Sequence, residues 1–330
     1  MTLLVHNPAL RCILKLLECM PQSRGDVGTI NRILLSNLAH LGDVVIATSV
    51  IEPLRRAFPG VEIGFLCGSW AVDLLNVDYV HTIDHYKHDR KSPSLWQYLR
   101  KKRSLVGEIQ EVGYDVAIDL YYYFGNAAHI FSKAKIPVRI GYTSGGFGRY
   151  HTHPVDWFDC RQHVSAYYPR LLNCIGIKVE GLKGAIADVE PMKCEYTILH
   201  PGSGDARKKW DGWIELVEGI KGEHKLCVTG RGESHLTDPI AALGVHNFAD
   251  QLSIREWIGL VRGARLVIAI DSAIVHIAAA FNVPCIAIYS TAEIATEWGG
   301  NSKMCLKLVQ PTISEVKNLA LQSSTQKYRR

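Results

Sequence analysis

The feature that most constrains the fold is a repeated alternation of two patterns. Apolar runs of about five residues are followed, after a few small or polar residues, by segments whose apolar residues recur at helical spacing. The run Leu266 to Ile270, the helical segment Ala273 to Phe281 and the run Cys285 to Tyr289 form the clearest instance. A second begins with Arg32 to Leu38. A helical stretch then opens at Asp43, carries Ala47, Ile51, Leu54 and Phe58, and stops at Pro59-Gly60 before the run Glu62 to Cys67. Strand–helix–strand with short connections means a parallel pair joined by a right-handed crossover.

The same pattern predicts strands at 79–83, 115–120, 138–141, 196–200 and 225–229, and helices at 95–110, 163–174, 213–220, 235–243 and 254–262. Residues 176–195 show neither period and read as a linker. The expected division is an N-terminal extension over 1–31, a first α/β domain over 32–180, a second over 181–311, and a C-terminal helix and tail over 312–330. In open parallel sheets, ligands bind beyond the carboxyl ends of the strands. With two such domains, the cleft between them is the expected site.

Lysine and arginine outnumber aspartate and glutamate 37 to 32, a net charge of +5. That is too weak to argue for nucleic acid and suits an anionic ligand or membrane surface. The nine cysteines are odd in number and include no C-x-x-C, so buried free thiols in a reducing, cytoplasmic setting are expected. No apolar run reaches the roughly 18 residues that span a bilayer. The first 22 residues lack the early cationic region of a signal peptide. Leu10, Ile13, Leu14, Leu17 and Met20 form one helical stripe, which either docks on the protein or rests on a membrane.

Four loops after predicted strands carry the chemistry. In Leu38-Ala39-His40-Leu41-Gly42-Asp43, Asp43 is read as the first residue of a helix, where it is either a cap or a general base. His40 is the second candidate there. In His200-Pro201-Gly202-Ser203-Gly204, followed by Arg207-Lys208-Lys209, small residues admit a phosphate and cations balance it, unless this is an ordinary glycine turn with a solvated basic face. In Asp271-Ser272-Ala273, the serine hydroxyl and the free N–H groups of a helix start suit a phosphate, while His276 one turn on is either a ligand or structural. In Thr229-Gly230-Arg231-Gly232-Glu233, a carboxylate can meet ribose hydroxyls. G-x-G-x-x-G is absent after the first strand of either domain, which argues against a nicotinamide cofactor. Tyr121-Tyr122-Tyr123-Phe124 lines an acceptor pocket or simply packs. Arg55, Arg56 and the cations from Lys87 to Arg103 form a solvated face or meet an anionic acceptor. His81, His85 and His88 do not make a metal site, because His81 falls in a strand.

From about Arg32 to Gly300 the chain resembles glycosyltransferase family 9, the bacterial heptosyltransferases of lipopolysaccharide core synthesis. The resemblance rests on an ordered set: Ile33-Leu34-Leu35 to Leu41-Gly42-Asp43-Val44-Val45; Tyr114 to Leu120 with Arg139-Ile140-Gly141; His200 to Gly204 with Lys208-Lys209-Trp210; and Asp271-Ser272-Ala273 with His276, Ala278-Ala279-Ala280 and Val283-Pro284. It implies a GT-B architecture, two Rossmann-like α/β domains with parallel sheets facing across a cleft. It also implies inverting, metal-independent transfer with no cofactor, most simply of heptose from ADP-heptose to a glycan or glycolipid acceptor.

By the same resemblance Asp43 is the general base, and Lys208 meets the donor diphosphate. Gly202, Ser203, Gly204, Thr229, Gly230, Asp271, Ser272, Ala273 and His276 line the donor, and Glu233 takes the ribose. His40, Arg55, Arg56, Tyr122 and Arg139 are the acceptor-side candidates. The expected place is the cytoplasm, with peripheral contact at the inner face of the plasma membrane. Ala273 stands where the family pattern has glycine, and so does Ser290 in Tyr289-Ser290-Thr291-Ala292. These departures keep open a nucleotide-sugar-binding scaffold without transfer activity. A nucleotide-sugar epimerase is the other alternative.

Overall fold

The computed structural model describes residues 28–84, 94–123, 127–193 and 196–325. The described residues up to Leu182, apart from Arg161–Val164, form one compact unit. Those from Lys183 onward, with Arg161–Val164, form another. The apolar stripe from Leu10 to Met20 lies outside the described residues.

The first unit contains β1 (Arg32–Ser36), α1 (Leu41–Ala47), α2 (Ile51–Ala57), β2 (Glu62–Cys67), β3 (Tyr79–Thr82), α3 (Leu95–Val112), β4 (Val116–Asp119), α4 (Ala128–Lys133), β5 (Val138–Tyr142), β6 (His153–Val155) and α5 (Tyr168–Leu172). Its strands pair in parallel in the order β3-β2-β1-β4-β5-β6. A sheet covered on both faces needs strands that are apolar throughout. Accordingly Ile33, Leu34 and Leu35 of β1 are all fully buried.

The single helix predicted from Asp43 to Phe58 is broken by a 3-10 turn over Thr48–Val50. Pro53 lacks the N–H that would continue the helical ladder. α3 starts with a reciprocal cap, in which Ser94 Oγ accepts the Gln97 N–H and the Gln97 side chain accepts the Ser94 N–H at 2.8 Å. Its inner face buries Leu105 and Ile109 against Leu34, Leu66 and Ala117 of the sheet and Phe131 of α4.

The second unit contains β7 (Thr197–His200), α6 (Trp213–Ile220), β8 (Leu226–Val228), α7 (Ser234–Ala241), β9 (His246–Asn247), α8 (Ile254–Arg262), β10 (Leu266–Ile270), α9 (Ala273–Phe281), β11 (Cys285–Tyr289), α10 (Ala292–Glu297), β12 (Cys305–Val309) and α11 (Ile313–Thr325). The strand order is β12-β11-β10-β7-β8-β9. α11 is part of this core: Val316 and Ala320 are fully buried among Leu216, Val217 and Ile220 of α6. The indole N–H of Trp210 donates to the Pro311 carbonyl at 3.1 Å just before it. Cys67, Cys227, Cys285 and Cys305 are buried free thiols, as the composition predicts.

Candidate functional site

In the first unit the site is built at the carboxyl end of β1. Asn37 follows the strand, and its side-chain oxygen accepts the Ala39 N–H at 3.0 Å. That turn delivers the chain to His40, the N-cap of α1. Asp43 is therefore the third residue of the helix, not its first. Its Oδ2 accepts the His40 N–H at 3.1 Å, with the His40 ring nitrogen 3.7 Å away. His40 is largely exposed, while the Asp43 side chain is only 13% exposed. A carboxylate has about four lone-pair sites, so capping one N–H leaves Asp43 able to accept a proton.

Two phenols, those of Tyr121 and Tyr168, lie near enough to Asp43 to feel its charge. Burial first, and then the Asp43 charge, raise the pKa of both Tyr121 and Tyr168. Both phenols therefore stay protonated near the carboxylate. Beside them lies Asp119, the last residue of β4 and the register partner of Ser36. Its Oδ1 accepts the Ser36 hydroxyl at 3.0 Å and the Tyr121 N–H at 3.3 Å, while Oδ2 is buried with no hydrogen-bond partner. Burial lifts this carboxyl to about 7 against the opposing pull of those bonds and of the nearby Ala127 and Ala128 backbone N–H groups. In the sequence Asp119 stands out only as part of a strand motif. A carboxylate at a strand's carboxyl end was the available signal.

The other acceptor-side candidates do not gather here. Tyr122 is buried and stacks on Tyr167 with ring centroids 4.4 Å apart, so it packs rather than lining an open pocket. The Arg139 guanidinium donates to the backbone carbonyls of Tyr150 and Ile136, which ties down the β5–β6 connection. Arg55 and Arg56 sit at the carboxyl end of α2. A crossover helix runs antiparallel to its strands, so that end lies at the amino edge of the sheet. There Arg55 donates to the Asn76 carbonyl at 3.1 Å, just ahead of β3. Arg56 faces Glu52 on its own helix.

In the second unit three loops meet at the carboxyl edge of the sheet. β7 ends at His200, which is buried; burial lowers its pKa to about 4, so its ring is neutral. Its Nδ1 lies 2.8 Å from the Thr229 hydroxyl at the end of β8. Thr229 thus fastens two strand ends together and is itself buried. Beyond His200 the chain bends at Gly204, whose φ of +69° favours glycine. Glu233 closes over this loop: its carboxylate accepts the Gly204 N–H at 3.1 Å and lies where a Cβ on Gly202 would sit. Gly202, Gly204, Gly230 and Glu233 are in this way brought together. The Ser203 hydroxyl donates to the Asp205 carbonyl at 3.2 Å.

Lys208 closes a 3-10 turn, Ala206–Lys208, capped by Asp205. Hydrogen bonds from Arg207 hold the Asp205 carboxyl at about 2 and keep Arg207 turned outward. Lys208 points inward, its Nζ 2.7 Å from Asp271 Oδ2. Asp271 is buried at the end of β10, and Ser272 is the N-cap of α9. The Ser272 hydroxyl donates back to the Ile270 carbonyl at 3.0 Å instead of capping the helix. The first N–H groups of α9, beginning at Ala273, therefore remain for an anion. One turn in, His276 is held at about 3 by burial, then by His163 and the Lys208 and Lys307 charges, so it is neutral.

A lysine ammonium, a helix N-terminus and small residues are groups whose chemistry complements a diphosphate. Among the described residues, no group of three or more His, Cys, Asp or Glu side chains is placed to hold a metal ion. Among them, too, no helix is long and apolar enough to cross a membrane.

The family model described as glycosyltransferase family 9 (heptosyltransferase) matches residues 102–328. Lipopolysaccharide heptosyltransferase 1 of Pseudomonas aeruginosa is 25% identical over 296 residues, 78% of each chain. Lipopolysaccharide core heptosyltransferase OpsX of Haemophilus influenzae is 22% identical over 290 residues, 77% of each. Among solved structures, the E. coli heptosyltransferase WaaC with ADP superposes with a TM-score of 0.73 at 16% identity, covering 88% of this chain and 99% of the other. That likeness bears out the two-unit α/β fold expected of a GT-B protein.

Proposed function

The chain belongs to glycosyltransferase family 9, the heptosyltransferases, and from that premise we propose that it transfers heptose from ADP-heptose to a lipopolysaccharide-core acceptor with inversion. The observation that carries the reading is the convergence of Lys208, Asp271 and the start of α9 at one sheet edge. In this reading the second unit holds the nucleotide sugar and the first supplies the base.

Asp43 takes the proton from the acceptor hydroxyl as its oxygen attacks the anomeric carbon. The new C–O bond forms as the bond from the anomeric carbon to the phosphate oxygen breaks, in one displacement that inverts the centre. ADP leaves carrying the bonding pair. Its charge is met by Lys208 and the α9 N–H groups, which supply the positive field without a divalent cation. The His40 N–H, donating to Oδ2 at 3.1 Å, holds the Asp43 carboxylate at the start of α1. The relatives act in lipopolysaccharide synthesis, so the acceptor is assigned to a membrane-anchored glycolipid met at the cytoplasmic face of the inner membrane.

The test pairs binding with turnover. ADP and ADP-heptose should raise the melting temperature, because ligand at 100 times its Kd adds about 2.7 kcal/mol, while UDP, GDP and CMP should not. Asp43→Asn should keep that shift and lose at least about a hundredfold in transfer. Unchanged turnover would remove Asp43 from the role of base. A response confined to another nucleotide would change the donor. No response to any nucleotide would favour a scaffold without transfer activity, and Ala273→Gly is the first reversion to make.

A further inference from the structure

We propose that the amino-terminal half of α3 is a docking surface for an anionic phospholipid bilayer. This rests on the reading of a lipid-borne acceptor and assigns the surface that meets the lipid. Trp96 is 81% exposed and Leu99 is 45% exposed. Arg100 and Arg103 are exposed as well. These four stand at i, i+3, i+4 and i+7, so they share one stripe of the helix. The opposite face is already committed, with Leu105 and Ile109 fully buried in the core.

The stripe's chemistry is unlike an ordinary solvated face. Such faces mix charges of both signs. Here Arg100, Lys101, Lys102 and Arg103 are consecutive, and no carboxylate occurs from Leu95 to Gly107. Tryptophan beside leucine and arginine is the composition of a membrane–water interface: the indole settles at headgroup level and the guanidinium groups meet lipid phosphates. A soluble polyanion would use the cations and leave the indole and Leu99 without purpose.

Its position fits the chemistry of the same unit. Arg32, the first residue of β1, donates to the Val112 carbonyl at 2.8 Å, so α3 ends at the amino edge of the sheet. The 18 residues of α3 span about 27 Å at a helical rise of 1.5 Å. Five-residue strands span only about 17 Å. α3 is thus longer than the strands it covers, and its amino end, with Trp96, Leu99 and Arg100, reaches toward the carboxyl edge of the sheet. Asp43 lies at that edge. A bilayer on this stripe brings its headgroups to the side of the unit from which an acceptor hydroxyl must approach Asp43.

The test uses the full chain and phosphatidylcholine vesicles with and without phosphatidylglycerol. The wild type should sediment with the anionic vesicles and stay in the supernatant with the neutral ones. Each basic residue near an anionic surface is worth about fivefold in partitioning, so R100Q/R103Q should lower it about 25-fold. The emission of Trp96, taken as the difference between wild type and Trp96→Phe, should shift to the blue on anionic vesicles alone.

Equal sedimentation of R100Q/R103Q and wild type overturns the proposal, as does a wild type that never sediments. Emission already blue without lipid assigns the stripe to another part of this chain. An equal shift with heparin assigns it to a soluble polyanion. Both outcomes also overturn the proposal. The ADP melting shift is measured on the same samples. If it is missing while vesicle binding holds, the donor reading fails and the docking surface stands.

Discussion

Asp119 offers the sharpest test, because its environment predicts a stability change with a definite sign. The carboxyl is buried, keeps one oxygen without a partner and is raised to about 7. In the unfolded chain its pKa is about 3.9. Between these values the native state binds more protons than the unfolded one, so stability falls as pH rises and levels off above 7. From pH 5 to pH 8 the loss works out at about 2.5 kcal/mol.

Asp119→Asn keeps the oxygen that accepts from Ser36 and Tyr121 and removes the ionisation. Its own cost is the same at every pH. The difference between variant and wild type should therefore move by about 2.5 kcal/mol in favour of the variant between pH 5 and pH 8. Hydrogen exchange of the β1 and β4 amides, corrected for intrinsic rates, reads the opening of this unit alone. A difference that does not change with pH would refute the reasoning and place a cation or an ordered water on Oδ2.

Three other substitutions separate structural from functional roles. Arg139→Gln should cost the first unit about 3–6 kcal/mol, through two lost charge-assisted hydrogen bonds, and leave the acceptor KM unchanged; steady-state kinetics and urea titration together check it. Gly202→Ala places a methyl group against the Glu233 carboxylate and should weaken ADP binding by about tenfold, roughly 1.4 kcal/mol, read by calorimetry. R55A/R56A, at the amino edge of the sheet, should change transfer by less than about twofold, since surface changes away from a site are usually within 0.5 kcal/mol.

The elements legible in the sequence are those whose apolar runs are strong and sharply bounded. β10, α9 and β11 match their predicted residues at both ends. The missed strands are edges. β9 has two residues, and β12, Cys-Leu-Lys-Leu-Val, is mostly exposed beyond Cys305, so neither shows the continuous burial that marks a central parallel strand. α4 is likewise too short for its period to emerge.

At the site, the loops after β1, β7, β8 and β10 were legible because glycine, serine and aspartate cluster there. What each side chain touches was not. Thr229 reads as a ligand until His200 is found against it. Asp43 reads as a cap at position one until Asn37 turns the chain and moves the cap to His40. Arg55 and Arg56 illustrate a different loss: their charge is visible in sequence, but which end of the sheet they reach depends on the length and direction of the helix that bears them.

The burial of Val316 and Ala320 has a consequence for synthesis. A polypeptide leaves the ribosome from its amino end, and domains fold as units in that order. The first unit is complete once Leu182 has emerged, with only Arg161–Val164 set aside. The second cannot close its core until α11, the last described element, has been made. From the making of Ile220 until that of Val316, the inner face of α6 is without the residues that finally cover it. The two units of one enzyme are thus finished at different times, the second only after α11 has been made.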